Sequence, residues 1–394
     1  MVLPEEFKNY AKESLGEKNS SILLNEIEQG ADITSIRINP FKRGFSPEGL
    51  EGIAWSSLGH YLPERPVFTL DPVFHAGGYY VQEASSMYME LVRDAIEADF
   101  GGSFFSSNIN ALDLCAAPGG KSTHLVSLLG DDSILVSNEV IKSRATILAD
   151  NIAKWGTDNV IVTNNDPSDF SAFEEFFHLI IVDAPCSGEG LFRKDPQAVE
   201  EWSPANVNLC AQRQQRILAD IWAALKPGGY LVYSTCTYNK YENDGNLKFL
   251  QENFNASILT LSSCTNASKS GIMLTPMGGL QFIPGKVKGE GQFMAIVRKE
   301  GDLEPSSFGR AIQGKKKKGS KDTKGKNQVQ FEKGCNYLPD NYIKVLQGDL
   351  VKGYREDLYE RIRFVEENLR TVLSGIAVAT KKVKITFPML TLLF

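Results

Sequence analysis

Two cysteines carry the reactive potential of this sequence. Cys186 lies in IIVDAPCSGEG and Cys236 in YLVYSTCTYNKYEN, each just after a short run rich in Val, Ile, Leu or Tyr. A cysteine in such a chain is usually a small buried hydrophobe, and Cys115, Cys210 and Cys264 are read that way. Two thiols at the ends of adjacent strands, each opening a loop, instead stand where a thiolate acts as a nucleophile. Asp183, three residues before Cys186, ends the same strand.

The stretch ALDLCAAPGGKSTHL (111–125) supplies the other half of the chemistry. A Gly-x-x-x-x-Gly-Lys-Ser phosphate loop needs its first glycine where Cys115 stands, and Pro118 stiffens a loop that must wrap phosphates. The strand–glycine turn–helix unit of nucleoside binders fits better. Glu139, 20 residues after Gly119, ends the next strand, where a carboxylate takes ribose hydroxyls. Asp166 follows the third strand and Asp183 ends the fourth. Carboxylates at successive strand ends repel a triphosphate and suit a cationic, phosphate-free nucleoside. S-adenosylmethionine is therefore the expected cofactor, with no metal. A thiol beside a methyl donor points to methylation of a pyrimidine at carbon 5. That carbon becomes nucleophilic only after a thiolate adds at carbon 6, with Asp183 hydrogen-bonding or protonating the ring nitrogen. The target base must leave its stack to be reached.

The elements that must position these groups are legible as short apolar runs: ALDLC (111–115), ILVSN (134–138), NVIVT (159–163), HLIIVD (178–183) and YLVYST (230–235). Helical patterns lie between most of them, as in a parallel sheet covered on both faces. Ser203 and Pro204 predict a helix start, and KPGG (226–229) its stop. GIMLT (272–276) and QFMAIVR (292–298) predict antiparallel edge strands. Upstream, HAGGYYVQEASSMYMELV reads as a turn leading into a helix that starts near Gln82. Residues 310–326 hold eight Lys or Arg and one Asp, a composition that cannot bury a core.

Composition bounds the rest. The chain has 394 residues, 42% hydrophobic and 23% charged, ordinary values for a soluble globular protein. A net charge of −6 argues against a protein coated in nucleic acid, though not against a local basic groove. Six cysteines without a CxxC pair argue against disulfides and structural zinc. No apolar run nears the ~18 residues of a membrane span, and MVLPEEFKNY lacks the order of a signal peptide. A cytoplasmic monomer without membrane contact is expected.

LDLCAAPGGKSTHL, VSNEV, NNDPSDF, IIVDAPCSGEG and KPGGYLVYSTCTYNKYEN resemble, in order, the motifs of the Sun (NOL/NOP/Sun) family of RNA cytosine carbon-5 methyltransferases. YYVQEASSM and VKGEGQFMA resemble further segments of its bacterial 16S ribosomal branch. The resemblance spans roughly residues 70–300. It implies an α/β fold with a Rossmann-like S-adenosylmethionine-dependent methyltransferase sheet at 106–300. An N-terminal α+β RNA-binding subdomain (1–105), a basic flexible linker (301–335) and a partial PUA-like RNA-binding module (336–394) would complete the chain. It assigns Cys115, Ala116, Ala117, Pro118, Gly119, Gly120 and Lys121 to the cofactor loop. Glu139 would hold the ribose, Asp166 would lie near the adenine, and Asp183 between methyl donor and base. Cys236 would be the nucleophile, and Cys186 would help release the product. The usual Glu-Asn-Glu that ends the last motif appears here as Glu242-Asn243-Asp244.

Other readings lack their signatures. A DNA cytosine methyltransferase would carry Glu-Asn-Val after the second cysteine, and an amino-methylating enzyme Asp/Asn-Pro-Pro-Tyr in place of DAPC. A non-catalytic ribosome-assembly factor would not need both cysteines, Asp183 and the whole loop. Ribosomal RNA is the expected partner, with transfer RNA as the alternative. The linker lysines and the trio Arg37, Lys42 and Arg43 are candidates for phosphate contacts, and Tyr79 or Tyr80 for stacking on a base.

Overall fold

Apolar runs buried on both faces organise the molecule. In the computed structural model, which describes residues 2–43, 45–261, 271–303, 338–382 and 385–388, the centre is one large mixed sheet. A small antiparallel sheet precedes it: β1 (Thr34–Ile38), β2 (Glu51–Ile53), β3 (Ser56–Leu62) and β4 (Tyr79–Val81), in the order β2-β3-β1-β4. The central strands are β5 (Asn110–Asp113), β6 (Ile134–Asn138), β7 (Val160–Thr163), β8 (Phe177–Asp183) and β9 (Leu225–Thr235). They are parallel, and the order β9-β8-β5-β6-β7 reverses direction at β5. Such a reversal opens a crevice beyond the carboxyl ends of the strands.

On the β9 side the sheet turns antiparallel through β10 (Ala256–Leu259), β11 (Met273–Leu274), β12 (Leu280–Phe282) and β13 (Gln292–Lys299). The expected edge strand QFMAIVR is in fact interior, paired with β9 on one side and with β10 and β12 on the other. The helix expected from Gln82 begins later, as α3 (Met89–Phe100). Tyr79–Val81 is instead taken up as β4, which pairs with β1. Glu83 then caps a short 3-10 turn through the Ser85 and Ser86 amides. The long helix α7 (Pro204–Trp222) starts as expected, with Ser203 accepting from the Asn206 amide. It stops before KPGG, because the Ala224 carbonyl is drawn to the Phe176 and Phe177 amides and Leu225 enters the sheet.

Flanking elements lean on the site. Helix α1 (Glu5–Gln29) buries Phe7 against Phe192 and Trp202, at ring distances of 4.9 and 5.7 Å. Residues from 338 onward form a second antiparallel sheet, β14 (Tyr342–Gln347), β15 (Leu350–Arg355), β17 (Ile376–Lys382) and β18 (Ile385–Pro388). Between β15 and β17, α9 (Tyr359–Asn368) buries Arg361 on Asn110, and β16 (Thr371–Leu373) pairs with β7, extending the central sheet. Most of the basic linker (residues 304–335), with Cys264 and Cys335, lies outside the described residues. No described helix is long and apolar enough to cross a membrane.

Candidate active site

The glycine loop leaves β5 and runs into α4 (Gly120–Val126). Gly119 has φ +112°, where a side chain is strained, and a Cβ there would come 3.1 Å from Leu148. The loop is fixed by its carbonyls. Arg144 donates to the Ala117 oxygen at 2.8 Å, and Asn151 and Tyr80 donate to the Pro118 oxygen at 2.8 and 3.1 Å. Arg37 donates to the Gly120 oxygen at 3.1 Å, to Thr123 at 2.6 Å and to Gln82 at 2.8 Å. Arg37 is fully buried, its guanidinium 4.6 Å from the Trp155 ring, and burial lowers its pKa to about 9. It therefore clamps the loop from behind and is withdrawn from the expected phosphate contacts, because a polar loop at a sheet end needs an internal donor. Lys121 reaches Asp183, with Nζ 2.8 Å from Oδ2. Asp113 beneath the loop accepts from Ser122 at 2.7 Å, and burial pushes its carboxyl up to about 7.

The crevice is a cleft of about 490 Å³. Cys115, Ala117, Glu139, Asp166, Asp183, Cys186 and Cys236 all line it, so the structure gathers the separated motifs in one place. Ala116, Pro118, Gly119, Gly120 and Lys121 build the loop behind that wall. Glu139 is buried, accepting from the Ile141 amide at 2.9 Å. Asp166 caps the 3-10 turn Pro167–Phe173, accepting from Ser168, and those bonds hold its carboxyl below the usual range. Cys115 is pushed up by burial and the neighbouring carboxylates, which suits a quiet thiol in the loop.

Asp183 is held on three sides. Ser234 and Gln292 donate to Oδ1 at 2.7 and 3.1 Å, opposite the Lys121 bond to Oδ2. Gln292 belongs to the segment VKGEGQFMA, whose backbone packs on YYVQEASSM. The Glu290 amide donates to Glu83 at 2.7 Å and the Gly291 amide to Ser85 at 3.2 Å.

The Cys186 and Cys236 sulfurs stand 3.0 Å apart. Contact with Cys236 and then burial push the Cys186 thiol well above its ordinary pKa. Their loops are cross-tied by two buried acids. Glu189, in the Cys186 loop, accepts from the Tyr238 and Asn239 amides at 2.7 and 3.2 Å. Glu242, in the Cys236 loop, accepts from the Ser187 amide at 3.0 Å and from the Ser187 hydroxyl. The Asn239 side-chain amide donates to both acids, at 2.8 Å each. Burial raises both carboxyls, Glu189 to about 7. Gly190 admits no side chain, since a Cβ there would meet the Cys236 carbonyl at 2.6 Å.

Glu189, Glu242 and Gln292 stand in motif segments of the sequence, yet no spacing there points to their roles. The cleft-lining Arg144, Arg213 and Arg216 are equally silent in the sequence, apart from the i, i+3 spacing of the last two on α7. Tyr79 is buried and Tyr80 is tied to the loop, so both lie outside the cleft.

Residues 106–298 match the family model described as 16S rRNA methyltransferase RsmB/F, and residues 3–84 match the N-terminal domain of 16S rRNA methyltransferase RsmF. The chain is 36% identical over 266 residues to ribosomal RNA small subunit methyltransferase F of Aliivibrio fischeri (strain MJ11), covering 65% of this chain and 54% of that protein. It is 37% identical over 290 residues to the protein of the same name from Cronobacter sakazakii, covering 72% and 58%. The chain thus spans little more than half the length of the curated relatives it matches. Among solved structures, a methyltransferase homologue from Pyrococcus horikoshii aligns at 25% identity with TM-score 0.60, over 75% of this chain and 95% of that one. NSun6 from the same organism, solved with SFG, shares the fold at 20% identity and TM-score 0.61, over 76% and 99%.

Proposed function

This chain belongs to the RsmB/F family of 16S rRNA methyltransferases, and we propose that it methylates carbon 5 of a cytidine in small-subunit ribosomal RNA, with S-adenosylmethionine as methyl donor. The observation that carries this reading is the pair of sulfurs 3.0 Å apart, sharing one crevice with Asp183 and the glycine loop.

The residues present fit the cofactor. Glu139 offers carboxylate oxygens for ribose hydroxyls. Val140, Ile141, Pro167 and Ile217 offer apolar walls for an adenine, near Asp166. The carboxylates of Glu139, Asp166 and Asp183 share the cleft with Arg144, Arg213 and Arg216, so they serve as local acceptors for hydroxyl and amine groups in a wall whose charges balance. When bound, the cofactor supplies an electrophilic methyl group.

The chain's own residues do the rest. Cys236, as thiolate, adds to carbon 6 of the cytosine, and the displaced electron pair moves onto the ring nitrogen, which takes a proton from solvent and donates the resulting N–H to the Asp183 carboxylate. After methylation a base removes the carbon 5 proton, the carbon–sulfur bond breaks and the Cys236 thiolate departs. Cys186, kept protonated beside it, assists that release. Lys121, Ser234 and Gln292 fix the Asp183 carboxylate at its place between loop and thiols.

The test uses methyl-labelled S-adenosylmethionine with unmodified ribosomal and transfer RNA fractions. Cys236→Ala should lose transfer while keeping cofactor affinity, and Cys186→Ala should accumulate a gel-stable protein–RNA adduct. Label confined to transfer RNA would move the substrate, and equal behaviour of the two variants without any adduct would end the division of roles.

A further inference from the structure

On the far side of the glycine loop, Tyr80 and Asn151 wall a second recess of about 260 Å³. Five of its ten lining residues are aromatic: Phe68, Phe74, Tyr79, Tyr80 and Trp155. Two are cations, Arg65 and Lys154, and none is a carboxylate, whereas the cleft sets three carboxylates beside three arginines. Arg65 stands 5.4 Å from the Phe68 ring and Lys154 4.3 Å from the Phe74 ring, and neither makes an ion pair among the described residues. The Trp155 indole N–H is buried without an acceptor, a donor that ordinarily finds a partner.

Aromatic faces with cations at their rim, of which only Lys154 feels a nearby carboxylate among the described residues, that of Asp150, suit a flat ring that carries an anion. Successive bases stack on such platforms while Lys and Arg take the phosphates. The volume lies below the ~300–1,000 Å³ of a whole-ligand pocket and is matched to one base. We propose that this recess is a nucleotide subsite for an unstacked residue of the RNA strand, with its base against Phe68 and Phe74 and its phosphate on Arg65 and Lys154. This rests on the reading of the chain as an RNA-acting protein. The subsite shares the Pro118 carbonyl clamp with the cofactor loop, so RNA held here lies one loop away from the crevice.

The experiment measures binding of a short single-stranded oligonucleotide containing 2-aminopurine to the full chain, wild type beside Phe74→Ala and the surface variant Arg65→Gln. Phe74→Ala should weaken binding about tenfold, the loss of one stacked base, with cofactor affinity unchanged. Arg65→Gln should lower the salt slope of binding by about one and covers the case in which Phe74→Ala fails to fold. Equal binding by all three proteins, or no binding by wild type, overturns the subsite. Methyl transfer is assayed separately: transfer with equal binding overturns the subsite alone, whereas subsite binding without transfer overturns the enzymatic reading.

Discussion

The glycine loop and the thiol loops flank Asp183, and the fold holds them by opposite halves of the peptide bond. Around the glycine loop, Arg37, Arg144, Asn151 and Tyr80 take carbonyl oxygens. Around the thiols, Glu189 and Glu242 take amides, each reaching across to the other cysteine's loop. The difference has a consequence in pH. A guanidinium with its pKa near 9 keeps its charge throughout the neutral range, whereas a buried carboxyl near 7 changes its charge within it. The glycine loop is built for constancy, and the thiol pair sits on a titrating support.

The two sides part most sharply at Cys236, the proposed nucleophile. Cys236→Ala should lower methyl transfer at least about 1,000-fold, with cofactor affinity measured by calorimetry unchanged, because that side of the site is clamped independently.

Removing the cationic clamp comes next. Arg37→Gln leaves the Gly120 carbonyl and Thr123 short of a buried donor and should cost roughly 2–4 kcal/mol in denaturant unfolding. Cofactor affinity should weaken with it. Arg37→Lys should rescue only partly, since an ammonium lacks the planar fork.

The anionic clamp gives a subtler readout. Glu189→Gln and Glu242→Gln should reduce bridging of Cys186 and Cys236 by a bifunctional bimane, while single-thiol labelling stays the same. The pH effect has a definite sign. The folded Glu189 carboxyl lies near 7 against about 4.3 unfolded, so its stabilising contribution is complete below about pH 4 and fades as pH rises through 7. The thermal stability of Glu189→Gln relative to wild type should therefore rise between about pH 5 and 7.

Among the cleft carboxylates, Glu139→Ala should weaken cofactor binding about tenfold, the loss of a charged hydrogen bond. Asp166→Ala should do less, because its carboxylate is already engaged by Ser168. Its main cost should be about 1 kcal/mol of cap stability. An equal loss of affinity from both would show that Asp166 turns from its cap toward the ligand.

The local readings that succeeded were those fixed by short-range physics. Continuous apolar runs at 134–138 and 178–183 became strands buried on both faces, and the Ser203–Pro204 signal became a cap. The readings that moved were decided by pairing. Gln82 reads as a helix start until β4 is claimed by β1, and KPGG reads as a helix stop until Leu225 is drawn to Phe177.

The sequence by itself determined which groups this protein has for chemistry: two thiols at strand ends, carboxylates at 139, 166 and 183, and a glycine loop that opens a helix. Their types and order follow from covalent structure and local propensity. Only the tertiary structure decided that Arg37 faces inward as a clamp, that Glu189 and Glu242 cross-tie the thiol loops, and that the two sulfurs meet at 3.0 Å. Those choices join residues up to 86 positions apart, as Arg37 joins Thr123. Such a contact is set by how strands order themselves in a sheet, which the pattern along any one segment does not encode.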